Sequence, residues 1–494
     1  MTLGILILIV GSVAFILTLV IGFLYKLHKN WIITFLQNFT GVLFILSGYV
    51  KAIDPMGTAF KMEQYFAEFE HTFSSTLFSF IAPVFPWLTD YSIWFSVALI
   101  VFEMLLGIAL LVGASPKFTS WAFLLLVVFF TVLTGFTFLN GFVPPDANFF
   151  AFKQWGPYDE LQMKVTDCGC FGDFLRLEPR ISFFKDLILL IPALLFVFRC
   201  RDMHQLISPG FRTGLISIAA VILTLYCIRN FAWNLPHTDF RPFKVGVNIG
   251  EQKALEEESL ASVEITSWKL KNIESGKVVE LSNDVYMKEF QSYPKSEWEV
   301  MDQIKTDPEI PKTKISDFII YHQEGYDITE DLLGNPDYAF AIVCYKLPFM
   351  GTFTEQATLQ DTLYRMDTIW TDDSYVLNRV MDEIRERQSS VERHNWNKRY
   401  LELFSDKIIR LANAAEQAGL STYAIIGGAD ITAIHEFKEV VQADFPFYTA
   451  DDILLKTIIR SNPGVLLLKQ GAIIKKWHIN KLPDFEVIEN RYLQ

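Results

Sequence analysis

The chain has 494 residues, of which 51% are hydrophobic and 15% aromatic, and its formal net charge at pH 7 is −13. This length accommodates two or three domains. The negative charge, together with the lack of a lysine/arginine-rich tract, argues against nucleic acid as a partner. The eight histidines include no HxxxH pair and the chain shows no zinc-finger spacing, so we expect no structural metal site.

Apolar residues are concentrated before residue 230, in runs that are long enough to cross a membrane. A transmembrane helix needs about 20 predominantly apolar residues. Six runs meet or approach this length, at 3–25, 31–50, 93–113, 118–140, 183–199 and 211–229. The first run has no basic stretch before it and no small-residue cleavage site after it, so we interpret it as a retained span.

The outer connection between spans two and three contains a further apolar stretch at 73–88. Pro83 and Pro86 interrupt this stretch, and it is therefore expected not to span. We expect it to lie along the membrane surface or to cap the helix bundle.

The lysine and arginine residues between the spans predict the orientation of the chain. Basic residues follow spans one, three and five, namely Lys26, Lys29, Lys117, Arg199, Arg201 and Arg212. These three loops are expected to be cytoplasmic, which places both chain ends and everything after residue 230 on the opposite face. In a bacterium this arrangement predicts an inner-membrane protein with a periplasmic N-terminus and a periplasmic C-terminal domain.

Five ionisable residues lie in or next to the apolar runs. Glu103 lies in the middle of span three, where an unpaired carboxylate costs on the order of 3 kcal/mol. Lys51 and Asp54 follow span two, and Lys185 and Asp186 open span five, so both pairs are expected at the outer mouth of the bundle. Two interpretations stay open: structural ion pairs that fix the bundle, or a proton-relay or quinone-binding site beside the thiols.

Two of the five cysteines, Cys168 and Cys170, flank a single glycine in the predicted outer loop between spans four and five. A disulfide between residues i and i+2 closes a small strained ring, and strain makes a disulfide a better oxidant. Three interpretations stay open: a redox-active pair, two cysteines that shape a tight turn, or a metal site, which the lack of a nearby histidine disfavours. For a redox pair, Cys227 near the outer end of span six is the best-placed additional thiol.

The region after residue 313 shows the alternation of strands and helices that is typical of an α/β domain. "KISDFIIYHQEGYDITEDLL" predicts a strand, a turn, and a second strand or helix start, and "YAFAIVCYKL" predicts a buried strand. Residues 349–395 are polar and are expected to be partly helical. A helix that ends near Gly419, then a strand, a helix and a hairpin turning at Gln470-Gly471, complete the predicted domain.

Several segments of the first half resemble the DoxX/MauE group of small bacterial membrane proteins. They are "FILSGYVKAIDPMGTAFKMEQYF", "FEMLLGIALLVG" and "DCGCFGDF"; in addition, "LPHTDFRPFKVGVNI" is similar to a segment of larger DoxX-type proteins that have a periplasmic extension. The resemblance covers about residues 31–250. It implies a DoxX-like four-helix core made of spans two to five, with spans one and six added. It also implies thiol–disulfide or quinone-linked chemistry, since MauE-like proteins are associated with disulfide formation in a periplasmic client and DoxX relatives with thiosulfate or sulfur-stress chemistry.

The end of the chain resembles a thioredoxin. "SNPGVLLLKQGAIIKKW" is similar to the segment of TlpA-like thioredoxins that begins with their cis-proline, which implies a cis peptide bond before Pro463. The chain departs from redox thioredoxins because no CxxC follows the first long strand. Cys344 stands alone within that strand, and we interpret it as a small buried side chain.

Together these observations predict an α-helical polytopic membrane bundle followed by an α/β thioredoxin-like domain. The predicted parts are an extra N-terminal transmembrane helix at 1–30, the membrane bundle with its CGC outer loop at 31–230, a linker and small β-rich region at 231–313, and a thioredoxin-like domain without CxxC at 314–494.

Two functions remain in competition. In the first, Cys168 and Cys170 are the catalytic pair of a membrane thiol–disulfide redox protein that exchanges electrons with a quinone or with client thiols. In the second, the chain is a non-catalytic platform whose thioredoxin-like domain docks a partner from an envelope assembly or secretion complex. The expected partners are membrane lipid, a periplasmic client or complex, and a second copy of the chain.

Overall fold

A computed structural model describes residues 2–159, 163, 165, 169–371 and 374–493. The chain divides into two compact units, Met1–Lys244 and Val245–Gln494. The division follows the last long apolar helix, so the first unit contains the apolar half of the sequence and the second contains the mixed polar half.

The described part of the first unit is helical. Its α-helices are α1 (Leu3–Leu19, prolonged by a π-helical turn at Val20–Leu24), α2 (Trp31–Ile53), α3 (Pro55–Ser74), α4 (Val84–Asp90), α5 (Ser92–Val112), α6 (Pro116–Asn140), α7 (Pro179–Phe198) and α8 (Pro209–Ala232). All but α3 and α4 are long and apolar enough to cross a membrane. Six candidate membrane helices therefore coincide with the six predicted spans, with ends that differ by a few residues.

Local sequence explains where these helices begin and end. The side chain of Asn30 accepts a hydrogen bond from the backbone N–H of Ile33, 3.1 Å away, and so caps α2. Pro116, Pro179 and Pro209 occupy the first positions of α6, α7 and α8, where proline lacks only a donor that the helix would leave unused. Helix α5 ends at Gly113, whose φ of 67° favours glycine.

Glycines bring α2 and α5 close together. A Cβ atom added to Gly107 would lie 2.8 Å from the carbonyl oxygen of Gly41, and one added to Gly48 would lie 2.3 Å from Cγ of Met104. Neither distance leaves room for a side chain. Small residues allow two membrane helices to approach closely, and this approach decides which polar residues of α2 and α5 meet.

The connection between α2 and α5 folds as α3 and α4 and is not among the candidate spans of the described residues. Leu77, Phe80 and Trp87 in this connection are 95%, 75% and 55% exposed. This result agrees with the prediction that 73–88 does not span, and an apolar surface of this kind suits the membrane interface.

The second unit combines helices with three sheets. Its helices are α9 (Ile249–Ala261), α10 (Asn283–Glu289), α11 (Thr329–Leu333), α12 (Lys398–Leu403, continued by a π-helical turn at Phe404–Ile409), α13 (Arg410–Gln417), α14 (Ile431–Val441), α15 (Asp452–Ile458) and α16 (Phe485–Tyr492). Its strands are β1 (Ile265–Asn272), β2 (Val278–Ser282), β3 (Trp298–Lys305), β4 (Tyr338–Cys344), β5 (Phe349–Thr371), β6 (Ser374–Trp396), β7 (Ser421–Ile426), β8 (Phe447–Thr449), β9 (Gly464–Lys469) and β10 (Ala472–His478).

The largest sheet has the strand order β10-β9-β4-β7-β8, and β1 to β3 form a small antiparallel sheet of order β2-β1-β3. In the five-stranded sheet β4 and β7 are parallel, as are β7 and β8, while β9 is antiparallel to both of its neighbours. The core lies between this sheet and the helices, and includes Phe340, Phe404 and Phe437, all fully buried.

Several local predictions for the second unit are confirmed. The predicted helix ends just before Gly419, which has a φ of 75°, and β9 turns into β10 through Gln470 and Gly471, which both have positive φ. A positive φ at both central residues is the geometry that favours a two-residue hairpin loop. The first strand predicted in "KISDFIIYHQEGYDITEDLL" is wrong, because Tyr321 forms only isolated bridges with Asp327 and Thr449.

The prediction of partial helix at 349–395 is also wrong. Strands β5 and β6 occupy this region and pair with each other in an antiparallel ribbon. The polar composition that suggested an exposed helix is equally compatible with an exposed strand, and threonine, which recurs in β5, favours extended backbone because it is β-branched.

Candidate functional site

The close approach of α2 and α5 pairs two ionisable residues inside the bundle. Nζ of Lys51 lies 2.6 Å from Oε2 of Glu103, and the two side chains are 4% and 2% exposed. The Lys51 ammonium also lies 5.2 Å from the centre of the Phe130 ring on α6, within the range of a cation–π interaction. Each charge therefore has a partner, as burial away from water requires.

A second ion pair lies where α6 packs against α7. Lys185 and Asp186, adjacent in sequence at the start of α7, form an ion pair, and the Asp186 side chain is buried. The Thr134 hydroxyl of α6 donates a hydrogen bond of 3.0 Å to Oδ2 of Asp186. The carboxylate is thus held by one charged group and one neutral group from two different helices.

The CGC loop is attached to α2 through its second cysteine. The Ser47 hydroxyl donates a hydrogen bond of 2.7 Å to the backbone carbonyl oxygen of Cys170. Gly169 has a φ of 62°, a left-handed conformation that glycine adopts without steric cost, and Phe171 is buried in the apolar core of the bundle. Cys168 lies outside the described residues.

One small cavity joins these groups. Its lining includes Cys170, Lys51, Glu103, Lys185 and Asp186, together with apolar side chains of α2, α6 and α7. Its volume is about 20 Å³, and a cavity must offer roughly 10–15 Å³ on this measure to hold one water molecule.

Two predicted site residues lie elsewhere. The Asp54 carboxylate accepts a hydrogen bond of 3.1 Å from the backbone N–H of Gly57, so it caps α3. Cys227 on α8 is fully buried in an apolar cluster with Ala52 and Ile100, whereas Cys170 packs against a different cluster. Cys200 follows the end of α7, roughly 30 Å from its start by the helical rise of 1.5 Å per residue.

The sequence analysis missed three residues of this site: Ser47, Thr134 and Phe130. The hydroxyl groups of Ser47 and Thr134 lie within apolar runs, and polar side chains at membrane depth are a recognisable signal. Phe130 is one of many phenylalanines in the bundle, and its position over Lys51 depends on tertiary packing. Over the part of the chain that the structure describes, no group of three or more His, Cys, Asp or Glu is placed to hold a metal ion.

The second unit carries the remaining predicted residues. The peptide bond between Asn462 and Pro463, for which the sequence predicts a cis conformation, is cis. The side-chain amide of Asn462 donates a hydrogen bond of 2.7 Å to the carbonyl oxygen of Lys346, just after β4. Cys344 at the end of β4 is fully buried, and this burial raises the pKa of its thiol to about 12.

The comparisons with known proteins concern the first unit. Residues 29–145, about a quarter of the chain, match the model of a family described as methylamine utilisation protein MauE. The match runs from α2 into the segment after α6, and so it includes Lys51 and Glu103 but ends before the CGC loop. No curated protein and no solved structure matches the chain. The six apolar helices and this match identify the chain as a membrane protein with a MauE-like segment.

Proposed function

We propose that the first unit is a membrane thiol–disulfide redox protein, with Cys168 and Cys170 as its redox pair. The observation that carries this proposal is the position of Cys170 on the wall of a cavity that also contains two buried ion pairs. A cysteine that only shaped a turn would not need charged groups of α2, α5 and α7 beside it. The resemblance of the segments around these residues to the DoxX/MauE group supports the same chemistry.

The reaction is thiol–disulfide exchange with a client that has two thiols. A client thiolate attacks one sulfur of the Cys168–Cys170 disulfide, the S–S bond breaks, and a mixed disulfide forms. The second client thiolate then attacks the mixed disulfide and releases the CGC cysteine. The client ends with a disulfide and the CGC pair ends with two thiols, so two electrons pass from the client to the protein. The reverse sequence of steps reduces a client.

The charged groups give Cys170 a specific environment. A thiolate is the reactive form of cysteine, and Cys170 lines the same cavity as Lys51 and Lys185, each of which is paired with a carboxylate. The cavity has room for about one water molecule between these groups.

The location of the proposed reaction follows from the charges of the loops. Spans one, three and five are followed by basic residues, which favours a cytoplasmic position for those loops. The CGC loop and the second unit then lie on the periplasmic face of a bacterial inner membrane, where disulfides persist. A client on that face is the partner that this orientation supports.

The test is the redox state of Cys168 and Cys170 in intact cells, measured by differential alkylation and mass spectrometry. We expect a partly oxidised pair that external reductant reduces and that becomes oxidised again after the reductant is removed. In a Cys170→Ser variant the Cys168 thiolate is expected to attack the disulfide of an oxidised client, to release one client thiolate and to stay bound as a mixed disulfide, whereas the matched Cys200→Ser variant is expected to retain no client. A pair that keeps one oxidation state throughout, with no trapped client, would refute the redox function.

A second function is favoured by the second unit. Its sheet order, with β4 between an antiparallel β9 and a parallel β7, is the arrangement expected of a thioredoxin-like domain, and we propose that this is its fold. Its only cysteine is the buried Cys344, so a redox role of its own is disfavoured and a docking role is favoured. The check is co-purification of a partner with cysteine variants of the chain. A partner that stays bound after all five cysteines are replaced supports a platform. A partner that is lost when only Cys168 and Cys170 are replaced supports the redox function.

A further inference from the structure

The backbone around Cys170 is held by side chains from two helices. The first support is Ser47 of α2, which is buried and donates a hydrogen bond of 2.7 Å to the carbonyl oxygen of Cys170. A buried hydroxyl that loses its partner pays the cost of desolvation without compensation. The bond therefore resists any movement of Cys170 away from α2.

The second support is Lys61 of α3. A Cβ atom added to Gly169 would lie 3.3 Å from Cγ and 3.8 Å from Cβ of Lys61. The aliphatic stem of Lys61 thus lies directly against the glycine between the two cysteines. Nζ of Lys61 donates a hydrogen bond of 3.1 Å to Oε1 of Gln64 on the same helix, which fixes the direction of the stem.

The residues that follow Cys170 are attached as well. Phe171 is 2% exposed and belongs to the apolar core of the bundle. The backbone N–H of Phe174 donates a hydrogen bond of 3.2 Å to the carbonyl oxygen of Phe171. The Phe174 ring packs edge-to-face against Phe240, which follows α8, with ring centres 5.1 Å apart. Cys170 therefore lies between two anchored neighbours.

These contacts restrict the exchange reactions of the Cys170 sulfur. The rate of thiol–disulfide exchange depends on which sulfur is attacked and on access to it. Cys170 is half-buried and lines the cavity between the two buried ion pairs. Its backbone cannot turn outward without breaking the contacts with Ser47 and Lys61. A protein client is consequently hindered at this sulfur.

We propose that Ser47 and Lys61 are positioning residues that keep Cys170 as the inner cysteine of the pair, so that clients form mixed disulfides with Cys168. The inner cysteine is the one that exchanges only with its partner in the pair. This inference rests on the proposed redox function and adds a division of roles between the two thiols.

The division of roles fixes the order of bond changes. When a client is oxidised, its first thiolate attacks the Cys168 sulfur, the S–S bond breaks, and Cys170 leaves as the thiolate. The second client thiolate then attacks the client sulfur of the mixed disulfide, and Cys168 leaves. When a client is reduced, the Cys168 thiolate attacks the client disulfide, and the Cys170 thiolate attacks Cys168 to release the client as a dithiol.

The first test compares client trapping by two variants of the full chain in cells. Cys170→Ser is expected to retain clients as mixed disulfides, and Cys168→Ser to retain at least about tenfold less, because its remaining sulfur is hindered. Equal trapping by the two variants would overturn the division of roles and leave the redox function intact. No trapping by either variant would count against the redox function, and the positioning role is then decided by labelling alone.

The second test measures positioning without a client. In the reduced Cys168→Ser chain in detergent, Cys170 is exposed to a maleimide that carries a polyethylene glycol chain. The fraction of Cys170 left unreacted is read after unfolding with a small maleimide and mass spectrometry. Adding Ser47→Ala or Lys61→Ala is expected to accelerate the reaction by about threefold to tenfold, the equivalent of one lost hydrogen bond.

Two matched variants control this measurement. Ser120→Ala removes another buried serine, which donates a hydrogen bond of 2.6 Å to the carbonyl oxygen of Pro116 at the start of α6, whereas the CGC loop follows the end of α6. Lys61→Met removes the charge and keeps the stem. Both are expected to leave the labelling rate of Cys170 unchanged. Unchanged labelling in Ser47→Ala and Lys61→Ala, or equal acceleration by Ser120→Ala, would overturn the positioning role whatever the clients show.

Discussion

Lys51 and Glu103 show why single residues in this bundle cannot be exchanged alone. Their charges are 2.6 Å apart and almost fully buried. The attraction between them offsets the cost of removing both from water, but neither residue has this compensation without the other. The Lys51–Glu103 pair is therefore expected to behave as one unit in stability measurements.

We predict that Lys51→Met destabilises the chain by about 3–5 kcal/mol, because it leaves the Glu103 carboxylate buried and unpaired. The double variant Lys51→Met/Glu103→Leu is expected to regain most of this loss, since no charge remains. Thermal unfolding of the detergent-solubilised protein measures both. A single variant as stable as the wild type would show that Glu103 is not buried as a charged group.

The same double variant separates the two interpretations of the ion pair. If Lys51 and Glu103 only fix the bundle, the folded double variant keeps a CGC pair that is reduced and reoxidised at the wild-type rate. If they serve the thiols, the double variant folds but its CGC pair cycles at least about tenfold more slowly. The proposed redox function corresponds to the second result.

Cys344 provides a residue-scale test in the second unit. Its pKa in the folded chain is raised to about 12 from 9.0 by burial. At pH 8 only about one thiol in ten thousand is then ionised, so we predict that Cys344 resists maleimide in the folded chain and reacts on unfolding. The half-buried Cys200 is the internal comparison. Equal labelling of the two in the folded state would contradict the burial of Cys344.

The raised pKa also sets the direction of a pH effect. The folded thiol stays neutral while the unfolded thiol ionises above pH 9, so its contribution to stability is complete below pH 9 and is lost as the pH rises towards 12. The free energy of unfolding is expected to fall by up to about 1.4 kcal/mol per pH unit from this group. Cys344→Ala should remove this contribution, so that the free energy of unfolding falls less steeply between about pH 9 and pH 12. Denaturant unfolding at a series of pH values measures this.

At the scale of elements, the base of the β5–β6 ribbon is fixed by one carboxylate. Glu436 on α14 is buried and accepts hydrogen bonds from the backbone N–H of His394 at 3.0 Å and from the indole N–H of Trp396 at 3.2 Å. Its Oε2 also lies 2.7 Å from Nδ1 of His394. These contacts hold the end of β6 against the domain core.

We predict that Glu436→Leu costs about 1–3 kcal/mol, because it leaves the donors of His394 and Trp396 without an acceptor. Hydrogen exchange should become faster in the last residues of β6. Glu439→Leu makes the same chemical change at an exposed position of α14 and should have little effect. Equal exchange rates in the two variants would argue that Glu436 does not hold the ribbon.

At the scale of the whole molecule, the orientation of the chain is the property that most constrains function. The distribution of basic residues between the spans predicts that the C-terminus lies on the periplasmic face. We therefore expect an alkaline phosphatase fused after residue 494 to be active and a fluorescent protein at the same site to be dark. The opposite pattern would place the CGC loop in a reducing compartment and exclude a disulfide-forming role.

Physical patterns of short range made the number of long apolar helices, and most helices and strands of the five-stranded sheet, predictable from the sequence. Apolar runs of about 20 residues, proline at helix starts and glycine at turns act within a few residues of where they occur. The five ionisable residues of the bundle were also recognisable from local sequence, because a charged residue in or beside an apolar run stands out without knowledge of its partner.

Only the tertiary structure decided which of these residues meet. Lys51 reaches Glu103 because glycines let α2 and α5 approach, and Asp186 reaches Thr134 because α6 packs on α7. The sequence also predicted Asp54 and Cys227 as members of the site. Asp54 instead caps α3, and Cys227 on α8 is buried in a separate apolar cluster. The ribbon of β5 and β6 was missed because an exposed strand depends on its cross-strand partner, which lies up to 47 residues away, and the recurring threonines of β5 are only a weak local signal.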